Sequence, residues 1–155
     1  MTDVRFAVAG DLPALVELGR AMHVESRYGW MVYAADRVWK QLEELIERKD
    51  WCVLVATEAA SAELEGFLIG SIHQYLFAND FAANLEFFYL TPSRRRGLTA
   101  MKMFTAFRRW AANRGVSEIT LSNRFGANEA YVGKLFARLG MPAVGGMHAA
   151  WVEQR

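Results

Sequence analysis

The sequence predicts one α/β domain over residues 1–155 (α+β by some schemes), with a mixed, mostly antiparallel sheet flanked by helices. Three observations carry that expectation. The chain has 155 residues, the usual span of one domain. Hydrophobic residues make up 53% of it, enough for a packed core rather than a disordered chain. Apolar residues recur at helical spacing in some segments and in short β-branched runs in others, in the order β-α-α-β-β-β-α-β-α-β.

The first strand is read at VRFAVA. GDLPALVELGRAMHVES follows as a helix, with Asp11 placed to cap it and Leu12, Leu15, Leu18 and Met22 on its apolar face. The aromatic link RYGWMVYAA leads to a second helix in DRVWKQLEELIERKD. Asp36 is its candidate cap, and Val38, Leu42, Leu45 and Ile46 share one side. WCVLVATEA and GFLIGSIHQYLF then read as a hairpin joined by ASAELE, and NLEFFYL as the next strand. GLTAMKMFTAFRRWAANRG reads as a helix with Met101, Phe104, Phe107 and Ala111 in phase and Gly115 as its stop. VSEITLS is a strand, and NEAYVGKLFARLG a helix with Val132, Leu135, Phe136 and Leu139 inward. AVGGMHAAWVEQ is expected to close the sheet with one or two strands. The strand, helix and strand within residues 85–122 form one βαβ unit, so that strand pair should be parallel.

Composition narrows the function. With 18 basic against 17 acidic residues the net charge is +1, which argues against a nucleic-acid partner. The single cysteine, Cys52, excludes an internal disulfide and a Cys-based zinc site, and reads as a small core residue. No HxxxH, HExxH or acidic triplet appears, so no metal is expected, and no Ser-His-Asp triad has support. No apolar run reaches the roughly 18 residues that span a membrane, so no membrane partner is expected. MTDVRFAVAGD lacks an apolar signal core, so the expected location is cytoplasmic.

The informative stretch is NLEFFYLTPSRRRGLTAMKMF, residues 84–104. Arg94, Arg95, Arg96 and Gly97 sit between a strand and a helix. The first amides of that helix lack intrahelical partners, and the helix dipole favours an anion there. Cations are unfavourable at a helix N-terminus, so three of them need a reason. A phosphate-bearing ligand is one, with Gly97 letting it approach the backbone. A solvated charge run is the other. Glu86 is the second point of interest, a carboxylate within L-FFYL. His73, in the neighbouring strand GSIHQY, is a weaker candidate for the same site. The aromatics Tyr28, Trp30 and Tyr33 of the link between the first helices suit either a pocket wall or a core edge.

From VRFAVAGDLPALVEL to FARLGMPAVGG the chain resembles the GNAT (Gcn5-related N-acetyltransferase) family. The resemblance implies a GNAT-like acyl-CoA N-acyltransferase fold with acetyl-CoA as co-substrate. In that family a turn of the form Q/R-x-x-G-x-G/A follows the fourth strand, and its amides hold the pyrophosphate. Here Arg95, Arg96, Gly97, Leu98, Thr99 and Ala100 fill it, with the middle glycine displaced to Gly97; counted from that glycine, it runs from Arg94 to Thr99. The family also implies pantetheine pairing near Tyr89, Leu90 and Thr91. Asn128 matches a family Asn before the last helix, and Gly140-Met141 loosely matches its Gly-Phe end. The family's usual tyrosine, which protonates the departing thiolate, is Phe136 here, and Tyr131 falls on another face. Water then protonates the thiolate.

Many members carry a glutamate nine residues before the motif arginine, which is Glu86 here. The attacking amine must be neutral, and with a pKa of about 10.4 it benefits from such a base. The expected activity is acetyl transfer to a primary amine, on a small molecule or a protein, by direct attack. A non-catalytic acyl-CoA-binding or protein-interaction module is the alternative. A homodimer is compatible with the exposed aromatics.

Overall fold

The computed structural model describes residues 1–124 and 129–152. It holds one five-stranded sheet in sequence order: β1 (Thr2–Phe6), β2 (Trp51–Glu58), β3 (Leu64–Gln74), β4 (Phe81–Leu90) and β5 (Glu118–Leu121). The first four strands pair antiparallel, and β4 pairs β5 in parallel, as the βαβ unit requires. Four helices complete the order: α1 (Leu12–Glu25), α2 (Ala35–Glu47), α3 (Thr99–Ala112) and α4 (Glu129–Arg138). The expected mixed, mostly antiparallel α/β fold is therefore what the chain adopts.

The sheet separates two cores. Cys52, Leu54, Leu68, Leu85 and Leu90 face α3 and α4, where Met103 and Phe107 are fully buried and Trp110 nearly so. Gly70 makes this packing possible: a Cβ there would lie 2.2 Å from the Phe107 ring. On the other face Val53, Val55, Phe67 and Ile69 meet Leu12, Leu15 and Leu42 of α1 and α2. Cys52 is the expected core residue, and burial pushes its thiol up to about 12.

Several expectations need correction. β1 ends at Phe6, before the expected VRFAVA does, and the chain enters a 3-10 turn at Ala9–Asp11. Asp11 does hold the N-cap position of α1, but its side chain makes no cap hydrogen bond to that helix. Its carboxylate accepts the Val8 amide at 2.8 Å and grips Arg5 through two bonds of 2.7 and 2.9 Å. Asp36 lies inside the first turn of α2, where Ala34 is the cap. The buried face of α3 runs through Ala100 and Met103, leaving Met101 exposed. β3 starts at Leu64, inside the presumed linker, which makes Glu65 a buried strand residue. The closing strands are absent among the described residues: 141–152 hold no regular structure. Two adjacent glycines, Gly145 and Gly146, weaken any strand there.

Candidate active site

β3 follows β4 up to Leu90, but β5 pairs β4 only over residues 82–85. Among the described residues, the upper half of β4 therefore has no strand partner on the β5 side. A β-bulge marks where the strands part: Gly70 pairs Leu85 and Ile69 pairs Phe87, leaving Glu86 as the extra residue. The bulge also shifts the alternation of side chains. Leu85, Phe88 and Leu90 face α3, whereas Phe87 and Tyr89 face α1 and α2.

Glu86 is bonded to Ser71, which lies two residues past Ile69 on β3 and so shares its α1/α2 side of the sheet. Glu86 Oε1 accepts a hydrogen bond of 2.7 Å from Ser71 Oγ, and its Oε2 one of 3.0 Å from Arg124. The side chain is 17% exposed, so it is neither sealed nor solvated. Each carboxylate oxygen keeps a second lone pair for a water or an incoming donor. Arg124, just past β5, had no sequence signal tying it to Glu86. Next to it, Asn123 Nδ2 is buried without a hydrogen-bond partner among the described residues. His73 lies at the exposed end of β3, where its ring meets Tyr75 at 6.2 Å.

The arginine turn lies at the end of the open edge. Arg94 reaches Glu58 at 2.7 Å and the buried Glu65 at 2.5 Å. Arg95 donates to the Leu90 carbonyl at 2.9 Å, pairs with Glu25 of α1 at 2.6 Å and covers the Tyr89 ring. Tyr89 donates its hydroxyl to the same Glu25 at 3.0 Å; burial, then that carboxylate, raise its pKa. Carboxylates on α1, β2 and β3 thus neutralise two of the three arginines. This is the physical reason they tolerate a helix N-terminus. Arg96, Gly97 and Leu98 are exposed. Thr99 and Ala100 are buried at the start of α3, which has no side-chain cap. Its first amides therefore point outward without intrahelical acceptors. A Cβ at Gly97 would meet nothing within 4 Å, so the space beside it is open.

The other expected residues are placed as follows. The Thr91 amide donates to Glu65 O at 2.9 Å, which turns the Thr91 backbone toward β3. Backbone groups of successive strand residues alternate between edges, so those of Leu90 turn toward the gap and those of Tyr89 toward β3. Phe136 is buried between Phe88 and Phe104, with ring centroids 6.3 and 5.9 Å away. Tyr131 does reach this region, its hydroxyl donating to the Arg95 carbonyl. Asn128 lies outside the described residues.

Below α1 and α2 is a cavity of about 550 Å3. Trp51, Phe67, Ile69 and Phe87 line it from the sheet, Leu15 and Met22 from α1, and Val38 and Leu42 from α2. Tyr28 and Tyr33 of the link contribute too. Tyr33 is fixed by its hydroxyl to Val16 O at 2.8 Å. Trp30 is exposed and packs edge-on against Trp151, 5.2 Å away, as does Tyr28 at 5.7 Å. Phe87, which lines this cavity, directly follows Glu86 in the bulge of β4.

No protein-family model matches the chain, and no curated protein does. Solved structures do. The aminoglycoside N-acetyltransferase AAC(6')-Iy, bound to the bisubstrate analogue CoA-S-monomethyl-acetylneamine, is 20% identical with a TM-score of 0.78 and covers 100% of this chain and 99% of its own. Glucosamine-6-phosphate N-acetyltransferase from Arabidopsis thaliana is 13% identical with a TM-score of 0.78, covering 99% of each chain. A transcriptional regulator from Bacillus halodurans C-125 is 19% identical with a TM-score of 0.79, covering 97% of this chain and 100% of its own. The chain is thus similar to these proteins along its whole length, and its fold is that of the GNAT acetyltransferases.

Proposed function

We propose that the protein is an acyl-CoA-dependent N-acetyltransferase that moves an acetyl group from acetyl-CoA to a primary amine. The observation that carries this reading is one continuous line of features. An uncapped helix start, an open strand edge and a bulged, half-buried carboxylate follow one another along β4 and into α3. In this reading the amides of Gly97, Leu98, Thr99 and Ala100 receive the pyrophosphate, with the Arg96 side chain adding charge. The edge at Leu90 pairs with pantetheine, beside Tyr89 and Thr91. Arg95 holds the turn's shape through Glu25 and Leu90 O rather than through the ligand.

The reaction is direct attack. The amine nitrogen forms a bond to the thioester carbon, the C–S bond breaks, and the sulfur leaves as thiolate. Glu86 accepts the proton that the amine loses, directly or through one water. Ser71 and Arg124 hold the carboxylate in place for this. Phe136 has no proton to give, so solvent protonates the thiolate. Positioning and exclusion of water supply most of the rate.

The ion pair of Glu86 with Arg124 favours one rival, a non-catalytic acyl-CoA-binding module in which this carboxylate is structural. Glu86→Gln separates the two. The proposal expects turnover, followed as CoA thiol release, to fall at least about 100-fold, within the usual range for a general base, while acetyl-CoA binding persists. Unchanged turnover in Glu86→Gln would remove the base role.

A further inference from the structure

We propose that the acceptor is a primary amine carried on an uncharged apolar body, an arylalkyl or alkyl amine, seated in the cavity beneath α1 and α2. The inference rests on the acetyltransferase reading and adds the substrate class. At about 550 Å3 the cavity falls in the range of small-molecule sites. Its floor, Trp51, Phe67, Ile69 and Phe87, is entirely apolar or aromatic and holds no ionisable group. Such a surface gains by taking a ring or an alkyl chain out of water.

The charged groups of the lining select against polyamines. They are His23, Arg37, Glu44 and Arg48, a single carboxylate against two guanidinium groups. Arg48 is paired with Asp50 at 2.6 Å, and His23 Nε2 is bonded to Met31 O at 2.7 Å. A polycation would meet repulsion from Arg37 and would lack carboxylates to replace its water. One ammonium group, by contrast, has a destination. Phe87 forms part of the floor, and Glu86, the residue before it in the bulge, is bonded to Ser71, two residues past the floor residue Ile69 on β3. A ring packed on Phe87 and Ile69 would send a short aminoalkyl arm toward Glu86, where the amine loses its proton.

The test uses the full chain with acetyl-CoA and a panel of amines: 2-phenylethylamine, tryptamine and hexylamine against kanamycin and spermidine. CoA thiol release gives kcat/KM. Each amine is also titrated calorimetrically without acetyl-CoA, which reads the cavity independently of transfer. The apolar amines are expected to bind and to be acetylated at least tenfold better than the polycations. Met22→Trp and Val38→Phe, which fill the cavity from opposite walls, should each lower apolar-amine binding at least tenfold while the melting shift with acetyl-CoA stays that of the wild type. Preference for polycations, or no binding of any apolar amine at millimolar concentration, overturns the inference. If the apolar amines bind but no thiol is released, the cavity's ligand class stands and the acetyltransferase reading fails.

Discussion

The two faces of the sheet are built differently. The face under α3 and α4 is filled: Phe107, Met103 and Ala111 are wholly buried, and Phe107 presses so close to the sheet that only glycine fits at position 70. The face under α1 and α2 is partly hollow, with a cavity of about 550 Å3 and several half-buried residues where a core would close. Both faces are apolar, so composition does not explain the difference. A solid layer backs the start of α3 and the arginine turn, and the proposed anion site would require that rigidity. The hollow layer leaves room for a ligand at a cost in packing.

The strongest way to break this contrast is to truncate one large apolar residue on each face. Phe107→Ala should cost about 3–5 kcal/mol in denaturant unfolding, the usual range for a buried ring. Met22→Ala, on the cavity wall, should cost roughly 1 kcal/mol, because the space beside it is already empty. Equal losses would mean that the second face is packed in solution. The arginine turn sharpens the contrast at the scale of single residues. Arg94→Ala strands the buried Glu65 and should cost about 2 kcal/mol of stability, read as a lower melting temperature. Arg96→Ala, exposed and outside those ion pairs, should leave melting unchanged and weaken acetyl-CoA binding by about 1 kcal/mol, with a shallower salt dependence.

The smallest expected effect is a pH dependence at the start of the hollow layer. Arg5 holds the Asp11 carboxyl below the usual carboxylate range, chiefly by hydrogen bonding. A group whose folded pKa is lowered stabilises the fold above its unfolded value of about 4 and loses that contribution as pH falls through the folded value. Asp11→Asn should therefore cost roughly 1 kcal/mol at pH 7 and flatten the stability curve below about pH 4. Parallel curves for the two proteins below that pH would contradict the assignment.

What the sequence made legible was local. The strand order, the parallel β4–β5 pair and the helix start after the arginines all follow from periodicity and turn chemistry. Glu86 stood out because a carboxylate among L-FFYL is unusual. Partners brought from afar were not legible. Glu25, Glu58 and Glu65, which neutralise Arg94 and Arg95, lie between 29 and 70 residues away in sequence, and nothing local marks them. The bulge at Glu86 is equally silent, because one extra residue in a strand leaves no compositional trace, yet it decides which face Phe87 lines. The expected closing strands failed for a related reason. Residues 141–152 carry strand-like residues around Gly145 and Gly146, but a strand needs a paired edge as well as propensity.

The account stands most directly on acetyl-CoA, so the decisive measurement is the melting temperature with and without it, using adenosine as the control. Ligand at a hundred times its dissociation constant adds about 2.7 kcal/mol of stability. For a chain of this size that corresponds to a rise of roughly 5–10 °C. A rise of that size with acetyl-CoA and none with adenosine is the expected result. No rise at millimolar acetyl-CoA would contradict the account, leaving Arg96 as surface charge and the open edge of β4 without a ligand.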